Sequence, residues 1–175
     1  VFGAWGTALA TCLVENGHDV CLWGNRQEDI DAINQMHSNE RYLKQIVLPS
    51  ALNATTDLAK ALNQVDCVLF VVPTNAIRDV AQQVKTYLKN QPYIVHASKG
   101  LEQGTHLRIS QVLSDVLQCE REIIVLSGPS HAEEVARKDL TTITVACQDL
   151  SATQYVQQLF MNAYFRIYTN TKHTQ

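Results

Sequence analysis

Apolar runs of strand length alternate with helical apolar stripes along the whole of this chain. The run at residues 66–72 is unbroken and apolar, which is typical of a central parallel strand buried on both faces. The segment at 76–88 carries its apolar residues at helical spacing, so this stripe is predicted to face the core. Because strands and helices alternate, the sequence predicts an α/β fold: a doubly wound parallel sheet of the Rossmann type, in a single domain over residues 1–175.

Further elements follow from the same patterns. The other predicted strands are apolar runs at residues 19–23, 93–97, 123–126, 141–147 and 164–168, after an apolar start at Val1 and Phe2. The other predicted helices lie at 7–16, 28–35, 58–62, 107–117 and 152–161. The stretch at 36–52 is polar and mixed, so it is predicted to be a long irregular connection.

Charge and cysteine content exclude several classes of protein. The formal net charge of −3 does not favour nucleic acid or an anionic membrane as a partner. No apolar run approaches the length of a membrane span, and no signal-peptide pattern is visible, so a cytoplasmic protein is expected. The cysteines are odd in number and have no C-x-x-C spacing, so reduced core thiols are expected rather than disulfides or a metal site. They are Cys12, Cys21, Cys67, Cys119 and Cys147.

The amino-terminal stretch places glycine between an apolar start and a helical run. Gly3 and Gly6 enclose Ala4 and Trp5. The start of a helix has unpaired N–H groups and a partial positive charge, which suit a phosphate, and glycine lets a pyrophosphate approach the backbone. Compared with the dinucleotide fingerprint G-x-G-x-x-G, the pattern is two residues short between Ala4 and Trp5. A plain strand–turn–helix is the structural alternative.

The residues after the second predicted strand bear on the choice of cofactor. That strand is followed by Gly24, Asn25 and Arg26, with no acid before Glu28. An acid at this point would bind the ribose 2′-hydroxyl of NAD, whereas a basic residue accommodates the 2′-phosphate of NADP. NADP is therefore expected to be accepted. The alternative is that Arg26 is a solvated residue at a helix start.

Two further polar residues follow predicted strands. Lys99 and Ser130 lie where ligands of open α/β sheets bind, outside the carboxyl ends of strands. Lys99 can point at a phosphate or a reacting oxygen, although an ordinary surface lysine is the alternative. Ser130 is predicted to cap a helix, with Glu133 completing a capping box, and this helix start would form a second anion site beside Lys99. His96 lies within an apolar strand and is predicted to be a core residue.

Seven short segments stand in an order that resembles one known family. They lie at residues 3–10, 22–24, 41–43, 72–74, 97–100, 127–136 and 164–171. Together they resemble NAD(P)-dependent glycerol-3-phosphate dehydrogenases of the bacterial type. The block at 127–136, Ser-Gly-Pro-Ser-His-Ala-Glu-Glu-Val-Ala, is the most specific, and the resemblance covers nearly the whole chain.

The resemblance implies an oxidoreductase that interconverts sn-glycerol 3-phosphate and dihydroxyacetone phosphate with NAD or NADP, for glycerophospholipid synthesis. It is also compatible with a homodimer. The cofactor-binding positions that it implies are Gly3, Ala4, Trp5, Gly6, Asn25, Arg26, Tyr42, Lys99 and Ala132. The substrate-binding positions that it implies are Lys99, Gly128 and Ser130. Lys99 is the one implied catalytic residue, and it would help to hold the anionic substrate.

The resemblance further implies a helical C-terminal domain that holds the general-base lysine, and this chain is expected to lack it. Lys172 stands in a different motif and is not assigned that role. The 175 residues are therefore expected to bind cofactor but to turn over slowly or not at all. Two alternatives stay open. One is another reductase of the 6-phosphogluconate-dehydrogenase-like group, against which the block at 127–136 argues; the other is a non-catalytic NADPH-binding module.

Overall fold

The computed structural model describes residues 3–171, in which helices and strands alternate. The helices are α1 (Ala4–Glu15), α2 (Gln27–Met36), α3 (Leu58–Ala61), α4 (Ile77–Tyr87), α5 (Ile109–Leu117), α6 (Ala132–Ala136) and α7 (Leu150–Phe160). The strands are β1 (Cys21–Trp23), β2 (Ser38–Asn39), β3 (Leu43–Val47), β4 (Asn53–Thr55), β5 (Cys67–Phe70), β6 (Tyr93–His96), β7 (Ile124–Ser127), β8 (Thr141–Ala146) and β9 (Phe165–Asn170). The predicted strand start at Val1 and Phe2 lies outside the described residues, as does Lys172.

The main sheet has five strands in the order β5-β6-β7-β8-β9. The first three are parallel neighbours, β8 runs antiparallel to β7, and β9 runs parallel to β8. A separate parallel pair is formed by β1 and β4. The predicted Rossmann-like α/β class is confirmed, with a sheet that is mainly rather than wholly parallel.

Within residues 3–171, the run predicted at 66–72 forms the strand β5 over Cys67–Phe70. Among the described residues β5 has β6 as its neighbour in the main sheet, and its predicted central position stays a prediction. Cys67, Val68 and Leu69 are only half-buried. Residues of β5 and β1 both line a cavity of about 800 Å³.

The segment predicted to be irregular contains the antiparallel pair β2–β3. Asn39, at the end of β2, is 3% exposed, and its side-chain amide donates to Oγ1 of Thr7 at 2.8 Å. The Thr7 hydroxyl in turn donates to the carbonyl oxygen of Gly3 at 3.1 Å. The β2–β3 pair is thus fastened to the first turns of α1.

Two apolar clusters cover the two faces of the main sheet. One cluster joins residues of α1, α6 and α7 to β7, β8 and β9. The other joins α4 and α5 to β5 and β6. The predicted core stripe of α4 is confirmed for Ile77, Val80, Ala81 and Val84, which are all buried, while Leu88 is only partly buried.

His96 lies at the end of β6 and is 5% exposed, which confirms its prediction as a core residue. Burial disfavours the imidazolium, and it lowers the pKa of His96 to about 4 from 6.5. The imidazole is therefore neutral in the folded protein at neutral pH.

The folded protein should lose stability in mild acid because His96 is buried in its neutral form. As the pH falls below about 6.5, the unfolded chain binds this proton before the folded protein does, so the free energy of unfolding drops as the pH approaches 4. We expect His96→Leu to remove about 3 kcal/mol of this loss between pH 7 and pH 4, measured by urea unfolding. The matched control is exposed His106→Asn. An unchanged pH slope in His96→Leu would contradict the assignment.

Candidate functional site

The first turn of α1 forms one part of the candidate site. The helix begins at Ala4 rather than at the predicted Thr7, and Gly3 is its N-cap residue. The chain is therefore helical from Ala4 to Trp5, with no loop between them, and Gly6 is buried within α1. A Cβ atom built on Gly3 would meet no atom of the described residues within 4 Å, so these residues leave the space beside the N-cap open. Unpaired N–H groups beside open space suit an anion.

Arg26 is the N-cap residue of α2, at the end of the turn after β1. Its Nη2 atom lies 2.6 Å from Oε2 of Glu28, its Nε atom lies 3.6 Å from Oδ2 of Asp29, and its side chain is 43% exposed. The hydrogen bond to Glu28 is the main reason why the pKa of Arg26 is raised. Tyr42 lies near enough to interact electrostatically with the guanidinium, and Asn25 is exposed. Arg26 thus stands at a helix start with its charge partly paired.

Lys99 follows β6 and is exposed. Its carbonyl oxygen accepts a hydrogen bond from Oγ1 of Thr74 at 2.7 Å. The neighbouring Ser98 hydroxyl donates to the carbonyl of Val72 at 2.8 Å and accepts from its N–H at 3.0 Å. Within residues 3–171, no hydrogen bond or ion pair occupies the Lys99 ammonium. The backbone of Lys99 is therefore fixed while its charge stays available.

Ser130 is not a helix cap, so the predicted capping box is wrong. His131 has an extended backbone, which delays α6 until Ala132 and makes His131 the N-cap residue. The carboxylate that returns to the cap is that of Glu134, which accepts from the His131 N–H at 3.4 Å. The Ser130 Oγ is buried and has no hydrogen-bond partner among the described residues. Ser130 is thus left with unused hydrogen-bonding capacity.

Gly128 lies where the chain leaves β7 and passes close to β8. A Cβ atom at this position would lie 2.9 Å from Cγ2 and 3.0 Å from Cα of Ile143. Only glycine therefore allows this approach without a shift of the backbone. This packing role explains the residue without a ligand, and the substrate contact expected at Gly128 stays a prediction.

The predicted site residues fall into two groups. Arg26, Tyr42 and the first turn of α1 lie around the β2–β3 pair, because the Tyr42 N–H bonds to the carbonyl of Asn39 and Asn39 bonds to Thr7. Lys99, Gly128 and Ser130 follow neighbouring parallel strands at one edge of the main sheet.

A single core cluster connects the two groups. Ala4 and Trp5 pack against the cluster that contains Ala97, next to the Lys99 segment, and Ala132, the first residue of α6. Ala132 is 8% exposed, so its side chain serves mainly the core.

Sequence reasoning missed the residues that position these groups. Thr74, Ser98 and Asn39 are polar residues that bond to partners distant in the sequence. For Thr74 and Ser98 a signal was present, because each stands just after a strand. Nothing in the sequence marked Asn39.

Comparison with known proteins decides the family. The model for the family described as NAD-dependent glycerol-3-phosphate dehydrogenase N-terminus matches residues 2–153. The chain belongs to that family. The resemblance in the sequence is thereby confirmed.

Members of this family include close relatives. A glycerol-3-phosphate dehydrogenase [NAD(P)+] of Enterococcus faecalis is 62% identical over 170 residues, which are 96% of this chain and 50% of that protein. The protein of the same name from Streptococcus uberis is 56% identical over 171 residues, covering 97% of this chain and 51% of the relative. The chain thus spans about half the length of these relatives.

Solved structures of glycerol-3-phosphate dehydrogenases share the fold. The one from Coxiella burnetii has a TM-score of 0.91 at 31% identity, covering 98% of this chain and 52% of its own. The one from Plasmodium falciparum has a TM-score of 0.90 at 26% identity, covering 98% and 51%.

In residues 3–171, no helix is long and apolar enough to cross a membrane. The same residues hold no group of three or more His, Cys, Asp and Glu side chains that could bind a metal ion. All five cysteines are free thiols.

A substitution at Gly128 tests the close packing of the chain after β7 against Ile143 of β8. We expect Gly128→Ala to lower the free energy of unfolding by about 1–3 kcal/mol, because the new Cβ overlaps the backbone and side chain of Ile143. Gly3→Ser is the control, since the space beside Gly3 is open and serine is a good N-cap residue. Equal stability of the two variants in urea unfolding would show that β7 and β8 do not approach as described.

Proposed function

We propose that this chain is the dinucleotide-binding part of a cytoplasmic enzyme that interconverts sn-glycerol 3-phosphate and dihydroxyacetone phosphate with NAD or NADP, for glycerophospholipid synthesis. Membership of the glycerol-3-phosphate dehydrogenase family supports this. The main structural support is the state of Lys99, an exposed cation at the edge of the main sheet. Its backbone is fixed, and its ammonium has no partner within residues 3–171. Free thiols are compatible with a reducing compartment. A homodimer belongs to the same proposal.

The residues present fit a dinucleotide. The open space beside Gly3, in front of the first N–H groups of α1, would take the pyrophosphate, with Ala4, Trp5 and Gly6 in the same turn. Arg26 would hold the 2′-phosphate, with Asn25 and Tyr42 beside the adenosine. When bound, the nicotinamide would supply or accept the hydride.

Lys99 would contact the bound cofactor, and it would do two further things for the substrate. Its ammonium would attract the phosphate group, and it would stabilise negative charge on the reacting oxygen. The unused Oγ of Ser130 would bind a polar group of the substrate, since a buried hydroxyl without a partner is costly. Gly128 would let the substrate approach the backbone.

The pairing of Arg26 with acidic residues limits any preference for NADP over NAD. A 2′-phosphate would have to share the guanidinium with Glu28, which lies 2.6 Å away, and with Asp29. Their negative charge reduces the gain from the additional phosphate. We therefore infer that NADP is favoured only modestly over NAD.

NADPH binding tests the site. We expect Arg26→Ala to weaken NADPH binding by about tenfold, since a charge-assisted hydrogen bond contributes about 1.5 kcal/mol, and to change NADH binding by less than about twofold. Binding is measured from the nicotinamide fluorescence during titration of the chain.

The control is Arg137→Ala, which removes another exposed arginine that pairs with an acid two residues later, Asp139. It should change the affinity for neither cofactor. Wild-type chain that binds neither NADPH nor NADH would contradict the proposed function. After addition of dihydroxyacetone phosphate, residues 1–175 should oxidise NADPH slowly or not at all, because they span about half the length of the dehydrogenases that they match.

A further inference from the structure

The segment after Lys99 is held in place by the ion pair between Arg78 and Glu102, here called the clamp, which the dinucleotide site does not explain. Glu102 bonds to both sides of the Arg78 guanidinium, with Nε–Oε1 at 2.8 Å and Nη2–Oε2 at 2.9 Å. Arg78 also reaches Asp115 on α5, with Nη1–Oδ2 at 2.8 Å. The Glu102 side chain is 11% exposed and that of Asp115 is 63% exposed. The bidentate contact between Arg78 and Glu102 is therefore less exposed to solvent than the contact between Arg78 and Asp115.

Glu102 also organises the turn in which it lies. Its N–H bonds to the carbonyl of Leu107 at 2.9 Å, and its own carbonyl accepts from the N–H of His106 at 2.9 Å. The Thr105 hydroxyl donates to the same Oε2 atom that Arg78 contacts. The pKa of the Glu102 carboxyl is held at about 2, first of all by its bonds to Arg78, so the clamp stays charged at neutral pH.

Both ends of the stretch from Lys99 to Glu102 are held by residues that lie close together in the sequence, within 74–78. Thr74, in the turn that leads into α4, holds the carbonyl of Lys99, and Arg78, in the first turn of α4, holds Glu102. Between them lies Gly100, whose φ of +96° is a conformation that glycine adopts easily. The ammonium of Lys99 has no protein partner within residues 3–171 that could position it. Its location therefore depends on the backbone.

We propose that Arg78 and Glu102 are positioning residues that act through Lys99. Their clamp fixes the backbone from which Lys99 extends, so that its ammonium meets the phosphate-bearing ligand without first being ordered. Such preorganisation raises affinity by removing an entropic cost of binding. The inference rests on the proposed function, because it takes Lys99 to be a ligand-binding residue.

A double-mutant cycle separates positioning from general stability. Glu102→Gln should weaken NADPH binding about fivefold in the wild-type chain but less than about 1.5-fold in a Lys99→Met chain, since the effect is transmitted by Lys99. Asp115→Asn is the matched control, because it removes a carboxylate from the same guanidinium but lies on α5, outside the segment. It should leave NADPH binding unchanged.

Two outcomes would overturn the proposal. One is an equal loss of affinity from Glu102→Gln in both backgrounds, which a merely structural role produces. The other is no loss in either background.

A second measurement needs no ligand, and it distinguishes a failure of the clamp from a failure of the proposed function. Backbone amide relaxation by NMR should show increased mobility of residues 99–102 in Glu102→Gln but not in Asp115→Asn. A wild-type chain that fails to bind NADPH would contradict the proposed function, whereas unchanged order of residues 99–102 in Glu102→Gln would overturn the clamp itself.

Discussion

Parallel pairing of β5, β6 and β7 is the constraint on which the candidate site depends. Because neighbouring parallel strands end at the same edge, the segments that follow them deliver Thr74, Lys99 and Gly128 to one region of the molecule. The ladder itself stops at the last paired residues. Beyond it, the Ser98 hydroxyl bonds to both the N–H and the carbonyl of Val72, so a side chain continues the pairing where the backbone ladder has ended.

Most polar residues around this edge position the backbone, and only a few are left unused. Thr74, Ser98 and Glu102 are all hydrogen-bonded to protein partners. By contrast, the Lys99 ammonium and the Ser130 hydroxyl have no partner among the described residues. Fixed backbone combined with unused polar groups is what a binding site for a charged ligand requires, because such groups bind without an internal contact having to break.

The elements that the sequence predicted well depend on local periodicity. The apolar stripe of α4 and the strand β6 could be identified because each carries its own pattern. The direction of a strand in its sheet is a non-local property, which is why the antiparallel β8 was not foreseen.

Among the site residues, Arg26 and Lys99 could be found from the strands that they follow. Their supporting contacts could not, since Asn39 and Thr7 are 32 residues apart and Arg78 and Glu102 are 24 apart.

The most direct test of the dinucleotide site is amide chemical-shift mapping by NMR as NADPH is added. We predict the largest shifts at Gly3, Arg26 and Lys99. Shifts confined to the separate cavity lined by Tyr93, Arg121 and Tyr155 would contradict the site described.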